Sequence, residues 1–209
     1  MLKFISFDFD GTLVNEDFDN LIWNSEIPKL YAKKHNLTLK QATFEVYADY
    51  YKALYIEKVN GWTSTTYWFK RLGLEYSNEL IQDLSKKIHV YPEVPQLLDA
   101  LSKKYTLVIT SNTTRQFLEL KMKKEHIEKY FTHVFLPTEL KLISKNEKMY
   151  KLILKKLKCK PNELMHIGDN YHEDVQIPAS LGIKAIHLNR TKKTKNSIQN
   201  LKQLLFILD

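Results

Sequence analysis

Short apolar runs that alternate with helical patterns constrain the fold of this chain most strongly. The runs are typical of β-strands and comprise residues 3–8, 105–111, 132–137, 164–169 and 183–189. After residue 90, segments with apolar residues at helical spacing separate them, and residues 197–208 are predicted to form a last helix. The alternation predicts an α/β protein with a Rossmann-like parallel-sheet core covered by helices. Binding groups are then expected at the carboxyl ends of the strands.

Residues 16–89 interrupt this alternation, because they contain helical patterns rich in aromatic residues and no strand-like run. We therefore predict a sheet-containing core of residues 1–15 plus 90–209 and an all-helical domain of residues 16–89. Aromatic and aliphatic side chains recur at helical intervals in this domain: Tyr47, Tyr50, Tyr51, Leu54 and Tyr55. The stripe favours the interior of the helical domain, and the lining of a ligand pocket is the open alternative.

Composition excludes several classes of protein. A hydrophobic content of 44% with only 5 Gly and 6 Pro excludes a disordered chain. The single cysteine, Cys159, excludes an internal disulfide and favours a cytoplasmic location. No segment approaches the ~18 consecutive apolar residues of a membrane span. The net charge of +8 comes from scattered lysines, so neither a nucleic-acid nor a membrane partner is expected, and the protein is predicted to be a monomer or homodimer.

The ends of three predicted strands carry acidic, hydroxyl or amide side chains. These side chains belong to Asp8, Asp10, Ser111, Asn112, Asp169 and, slightly further along, Asp174. In a parallel sheet these groups converge on one edge. Clustered carboxylates repel one another unless a cation neutralises them. A ligand set made of oxygen atoms suits Mg²⁺, which commonly bridges to a substrate phosphate.

Four segments of the chain resemble, in order and spacing, the motifs of the haloacid dehalogenase superfamily. The segments are "FDFDGTLVN", "VITSN", the lysine of "LISKNEKMY" and "HIGDNYHEDV". The resemblance covers nearly the whole chain and is to hydrolases of the phosphatase type with a helical cap inserted between the first and second motifs. It implies that residues 16–89 form this cap.

The resemblance also implies roles for the residues that follow the first strand. Asp8 resembles the nucleophile that becomes an aspartyl phosphate, and Asp10 resembles the general acid and base. Asp8 and Asp10 are two residues apart in an extended stretch, so their side chains lie on the same side of the backbone. Gly11 is expected to permit a sharp turn and Thr12 to fix it by a hydrogen bond.

The second and third motifs supply the groups expected to bind phosphate. Ser111 and Asn112 resemble the phosphate-binding pair, with Thr110 as the adjacent alternative to the serine. Lys145 resembles the lysine that stabilises negative charge on the transferred group, and Lys141 is its rival, because the proline that usually follows this lysine is absent.

The fourth motif supplies the remaining metal ligand. Asp169 resembles the metal-binding carboxylate, and the resemblance implies that Asp8 and the backbone carbonyl of Asp10 complete the protein ligands of Mg²⁺. Asp174 is expected to support the metal through water or to orient the lysine. Glu173 is expected to be a solvated charge. Of the seven histidines, His172 is predicted to approach the site.

These residues favour phosphate chemistry, because the dehalogenases of the superfamily characteristically have another residue at the position of Asp10. The sequence therefore predicts a Mg²⁺-dependent phosphomonoester hydrolase that acts on a small phosphorylated metabolite. The alternatives are a 2-haloacid dehalogenase, a phosphomutase and a non-catalytic binding relative.

Overall fold

A six-stranded, wholly parallel sheet forms the centre of the computed structural model, which describes residues 1–192, 194 and 197–208. The strands, in chain order, are β1 (Phe4–Phe7), β2 (Thr106–Thr110), β3 (Phe131–Phe135), β4 (Leu164–Gly168), β5 (Lys184–Leu188) and β6 (Ser197–Ile198). Their order across the sheet is β3-β2-β1-β4-β5-β6. The predicted α/β fold is confirmed, and β1, β2 and β4 lie side by side, so their carboxyl ends meet at one edge.

The sixth strand overturns part of the prediction for the end of the chain. Residues 197–208 were expected to form one helix, but Ser197–Ile198 pairs with β5 and only Gln203–Leu208 is helical. The buried side chain of Ile198 gives the physical reason, since pairing with Leu188 removes it from water at the sheet edge. The backbone N–H of Asn189 also donates to the carbonyl of Ile198 at 2.8 Å.

The chain divides into two compact units, residues 1–15 with 89–209 and residues 16–88. His89 lies in the unit that contains the sheet, one residue away from the boundary drawn from the sequence. Two hydrogen bonds of 3.0 Å explain this placement, because the His89 N–H donates to Asn15 Oδ1 and the Asn15 N–H donates to the His89 carbonyl.

Residues 16–88, all of which the structure describes, form only helices and connecting segments. The helices are α1 (Asp17–Leu21), α2 (Ile27–His35), α3 (Leu39–Tyr51), α4 (Thr65–Arg71) and α5 (Asn78–Ser85), with π-helical segments at Ile22–Glu26 and Lys52–Ile56. Thr38 and Gln41 form a capping box that fixes the start of α3. The prediction that the aromatic stripe lies in the interior of the helical domain is wrong for Tyr47, Tyr51 and Tyr55. These residues are 42%, 59% and 61% exposed. Helix α3, which carries Tyr47 and Tyr51, buries Ala42 and Val46 instead.

Five further α-helices accompany the sheet in the part of the chain that the structure describes. They are α6 (Val94–Ser102), α7 (Arg115–Glu125), α8 (Glu147–Leu157), α9 (Ile177–Ser180) and α10 (Gln203–Leu208). The start of α8 matters most for the site, because the Asn146 side chain accepts the Met149 N–H at 3.1 Å and so ends the preceding loop at a fixed point. Below this cap, Met149 and Ile153 are buried in the hydrophobic core. Across the described ranges, none of the helices combines the length and apolar character needed to cross a bilayer.

Candidate active site

Three carboxylates lie together at the carboxyl edge of the sheet. Asp8 follows β1, Asp169 follows β4, and Asp174 is brought back beside them by the π-helical segment Tyr171–Gln176. One oxygen atom of each side chain lies within 4.8 Å of the others. Asp8 and Asp174 are buried, so little water is available to screen their mutual repulsion.

Lys145 supplies positive charge to this cluster. Its ammonium nitrogen lies 2.8 Å from Asp8 Oδ2 and 2.5 Å from Asp174 Oδ1, and its side chain is only 1% exposed. Lys141, the rival from the sequence, is exposed and has a left-handed backbone with φ = 56° at the end of a 3₁₀ turn. Of the two lysines, Lys145 is therefore the one that the structure brings to the carboxylates.

The pKa values of the three acids separate according to their neighbours. Burial and then the charges of Asp8 and Asp174 raise the pKa of Asp169 to about 7. Burial also raises the pKa of Asp8, although Lys145 opposes this shift. Burial acts in the same direction on Asp174, but Lys145 and a hydrogen bond with His166 outweigh it and hold the pKa of Asp174 well below its usual range. Neighbouring groups therefore stabilise the ionised form of Asp174, and they stabilise the ionised form of Asp169 least.

The turn after Asp10 closes tightly against Asp169. Gly11 has φ = 74°, and a Cβ atom there would lie 2.7 Å from Asp169 Oδ2, so this position requires glycine for both conformation and space. The hydroxyl of Thr12 donates to Asp169 Oδ1 at 3.3 Å. Gly11 and Thr12, the two residues expected to shape this turn, therefore lie directly beside the Asp169 carboxylate.

Arg190 holds the same turn from the other side, and sequence reasoning missed it. Its guanidinium donates to the carbonyls of Gly11 at 3.2 Å and Thr12 at 2.7 Å. It also pairs with Glu93 at 2.8 Å and lies 3.4 Å from the ring centroid of Tyr91. No local motif marks Arg190, because its contacts come from residues far away in the sequence.

Asp10 pairs with a second lysine that sequence reasoning also missed. The ammonium of Lys121, on α7, lies 2.5 Å from Asp10 Oδ1, and the Lys121 side chain is 0% exposed. The signal available in the sequence was the position of Lys121 beside the buried Leu118 and Met122 of α7, where a charged residue needs a partner.

Ser111 and Asn112 follow β2 and have different surroundings. Ser111 is buried, and its hydroxyl accepts the Thr113 N–H at 3.4 Å. Asn112 accepts the backbone N–H of Lys145 at 3.0 Å and donates to Glu173 at 2.6 Å. Asn112 therefore connects the loop that carries Lys145 to the segment that carries Asp174.

The histidine prediction is wrong. His172 is exposed and its ring contacts Gln176 at 3.0 Å, because it lies on the outer side of its helical segment. His166, buried within β4, is the histidine that reaches the carboxylates, with Nε2 2.9 Å from Asp174 Oδ1 and Nδ1 2.9 Å from Ser6 Oγ. Ser6 in turn is hydrogen-bonded to the Thr110 hydroxyl at 2.8 Å. A polar residue inside a strand predicted to be buried was the available signal.

The arrangement suits a divalent cation and an anionic substrate. Three close carboxylates with one lysine leave an excess of negative charge, and burial together with the charges of Asp8 and Asp174 raises the pKa of Asp169 to about 7. Oxygen ligands of this kind are those that hard divalent ions prefer. Asp8, at the end of its strand, also has the position of a nucleophile beside a cationic side chain.

Comparisons with known proteins agree with this geometry. The family described as haloacid dehalogenase-like hydrolase matches residues 5–188. The pyrophosphatase PpaX of Bacillus mycoides is 22% identical over 203 residues, which are 95% of this chain and 88% of that protein.

Two solved structures share the fold. A haloacid dehalogenase-type phosphatase from Thermococcus onnurineus has a TM-score of 0.84 at 23% identity, covering 99% of this chain and 98% of that one. The 2-haloacid dehalogenase of Pseudomonas syringae has a TM-score of 0.71 at 18% identity, covering 100% and 98%. The residues that match the family, 5–188, extend from β1 to β5 and include every strand end that carries an acid of the cluster. This chain therefore belongs to the haloacid dehalogenase-like hydrolases.

Proposed function

We propose that the protein is a Mg²⁺-dependent phosphomonoester hydrolase that acts on a small phosphorylated metabolite through an aspartyl-phosphate intermediate. The observation that carries the proposal is the contact between the buried Asp8 carboxylate and the Lys145 ammonium, 2.8 Å apart. A cation at this position stabilises negative charge that develops on a group attacked by Asp8. Two of the similar proteins are named as a pyrophosphatase and a phosphatase, which supports phosphate chemistry.

In the first step, a carboxylate oxygen of Asp8 forms a bond to phosphorus while the bond from phosphorus to the ester oxygen breaks. Asp10 gives its proton to the departing alkoxide, which leaves as an alcohol. Ser111 donates a hydrogen bond to the phosphoryl group, and Lys145 balances its charge. Asn112 acts by holding the Lys145 loop through the 3.0 Å bond to the Lys145 N–H.

In the second step, water attacks the phosphorus of the aspartyl phosphate and Asp10 takes a proton from that water. The bond between phosphorus and the Asp8 oxygen breaks, which releases inorganic phosphate and restores the Asp8 carboxylate. The ion pair between Asp10 and Lys121 fits the basic form of Asp10 that this step requires, because the ammonium stabilises a carboxylate.

The acidic cluster fits the metal. Asp8, Asp169 and the backbone carbonyl of Asp10 would hold Mg²⁺, while Asp174 supports the site by orienting Lys145. When bound, the ion supplies positive charge that neutralises the carboxylates and the substrate phosphate.

We also infer that the helical domain predicted for residues 16–89 serves as the cap and contributes to substrate choice. The compact, all-helical unit of residues 16–88 supports this inference. A cytoplasmic location and a monomeric or homodimeric state, without a nucleic-acid partner, stay predictions from the sequence.

The first test is release of phosphate from an aryl phosphate with and without Mg²⁺. We expect Mg²⁺-dependent turnover that falls by at least about 10³-fold in Asp8→Asn, because the amide cannot form the covalent intermediate. Asp99→Asn, an exposed acid on α6, is the matched control and should keep full activity.

Controls with 2-chloropropionate separate the alternatives. Turnover of the haloacid without a metal would establish a dehalogenase, and isomerisation of a sugar phosphate without net phosphate release would establish a mutase. Absence of all turnover together with metal binding would point to the non-catalytic binding relative. Phosphate release that survives Asp8→Asn contradicts the proposed mechanism.

The second prediction concerns Asp169 in the metal-free protein. Its pKa is 3.8 in an ordinary setting and about 7 in the folded chain, so the group makes the fold less stable as the pH rises between these values. Asp169→Asn should therefore stabilise the metal-free protein by about 1 kcal/mol at about pH 8 and should abolish the stabilisation by Mg²⁺. Thermal unfolding with EDTA and with Mg²⁺ measures both effects. A less stable metal-free variant contradicts the repulsion between the acids.

The third prediction concerns the buried ion pair of Asp10 and Lys121. Asp10→Asn leaves the fully buried ammonium beside a neutral amide and should lower the free energy of unfolding by about 3 kcal/mol. Adding Lys121→Met should restore most of this loss, because it removes the charge and keeps an apolar side chain of similar length. Urea unfolding measures the cycle.

The exposed pair Asp99 and Lys103, 2.7 Å apart, is the matched control for this cycle. The corresponding Asn and Met changes there should alter stability by less than about 1 kcal/mol. If Asp10→Asn and Asp10→Asn with Lys121→Met have the same free energy of unfolding, the stability of the buried Lys121 does not depend on the Asp10 carboxylate.

A further inference from the structure

The helical unit contains a cavity of about 490 Å³ whose lining lies entirely within residues 16–88. This volume is in the range of small-molecule sites. All 3 tryptophans of the chain, Trp23, Trp62 and Trp68, line it. Aromatic side chains gathered around one cavity offer several π faces to a ligand.

The tyrosine stripe of α3 and the segment after it provide the rest of the aromatic lining. Tyr47, Tyr51 and Tyr55 line the cavity and are 42%, 59% and 61% exposed. These rings are therefore not part of the hydrophobic core of the helical unit. The alternative left open by the sequence, a ligand pocket, is therefore the one that accounts for them.

Hydrogen bonds hold two aromatic rings of the cavity lining, Tyr47 and Tyr50, in place. The hydroxyl of Tyr47 donates to Asn24 Oδ1 at 3.0 Å, and the hydroxyl of Tyr50 donates to the carbonyl of Trp23 at 3.3 Å. The Tyr47 and Tyr50 rings stack with centroids 5.9 Å apart, and Trp23 meets Tyr50 edge-on at 6.1 Å. These contacts position Tyr47, Tyr50 and Trp23 relative to one another, which lowers the entropic cost of arranging them around a ligand.

The charged groups of the cavity are all of one sign. Glu16 and Asp19 line it, and no lysine, arginine or histidine does so in this fully described part of the chain. The Arg71 guanidinium lies 5.6 Å from the ring centroid of Trp68, a lining residue, and is paired with Asp49 and Glu57. Negative charge at the cavity favours a cation over an anion as its ligand, in a protein whose net charge is +8.

One polar atom of the lining residues lacks a partner. The hydroxyl oxygen of Thr63 is buried and has no hydrogen-bond partner among the residues that the structure describes. Buried hydroxyls without a partner are rare in folded proteins, and a ligand with its own polar group would satisfy this one.

We propose that this cavity is a binding site for a small organic cation, an alkylammonium compound with a hydroxyl group. The aromatic faces bind the ammonium methyl groups through cation–π contacts, as aromatic cages do. Glu16 and Asp19 supply the long-range attraction, and Thr63 is placed to hydrogen-bond the hydroxyl. This inference rests on residues of the helical unit alone and does not depend on the proposed phosphatase activity.

The test is a titration of the full chain with choline, followed by tryptophan fluorescence. Because all 3 tryptophans line the cavity, the intrinsic emission reports on this site. The uncharged isostere 3,3-dimethylbutan-1-ol has the same shape and hydroxyl, and titrations at constant ionic strength in the absence of phosphate esters exclude salt effects and turnover. We expect a saturable change with choline and at least about tenfold weaker binding of the isostere.

Two variants locate the site. Glu16→Gln with Asp19→Asn should weaken choline binding about tenfold and leave the isostere unchanged. The control Glu75→Gln with Glu79→Gln removes the same charge from residues outside the cavity and should change the affinity less than about twofold. Tyr47→Leu keeps an apolar side chain and should weaken the binding of choline more than the binding of the isostere. This variant still tests the proposal if the doubly substituted acidic variant unfolds. Thermal unfolding verifies that each variant is folded.

Equal affinity for choline and its uncharged isostere would overturn the proposal, since the cavity would then be only apolar. A linear, non-saturable loss of emission, like that of free N-acetyltryptophanamide, would overturn it too. Phosphate release by the same preparations tests the proposed function separately, so either proposal can fail alone.

Discussion

The charge balance between one lysine and three carboxylates is the constraint on which the site depends. Lys145 contacts both Asp8 and Asp174, so two of the acids share a single ammonium, and Asp169 is left with a pKa raised to about 7. The same imbalance makes the site suited to a divalent cation, which would neutralise the carboxylates. Asp174 stays ionised because His166 and Lys145 both stabilise it. It is therefore suited to orienting the lysine.

Lys145 can hold this position only because its backbone is fixed on both sides. The Asn146 side chain caps α8 immediately after it, and Asn112 accepts its N–H at the end of β2. The ammonium thus depends on the sheet order that places β2, β1 and β4 side by side. Ser6 and His166, beneath the acids, extend the polar contacts into the sheet, so that the site rests on satisfied buried groups.

Features that local sequence patterns encode could be predicted, and features that depend on tertiary packing could not. The strands and the convergence of their acidic ends follow from apolar runs and from the geometry of parallel sheets. Arg190 escaped prediction because its partners, Glu93 and the Gly11 and Thr12 carbonyls, are distant in sequence. The final segment was misread since the burial of Ile198 on β5 competes with helical spacing. The exposed Tyr47 shows a further limit: periodicity marks a face of a helix but not what covers it.

Lys121 shows how a single buried charge divides the roles of two neighbouring aspartates. Asp8 and Asp10 follow the same strand, yet each has its own ammonium, Lys145 for the first and Lys121 for the second. A single shared lysine would couple the two acids, so that charge lost by one during a reaction would alter the other. With separate partners, the Asp8 carboxylate could accept the phosphoryl group of the proposed reaction while Lys121 continues to favour the basic form of Asp10. In the mechanism proposed above, the second lysine would therefore favour hydrolysis of the covalent intermediate, the step that needs Asp10 as a base.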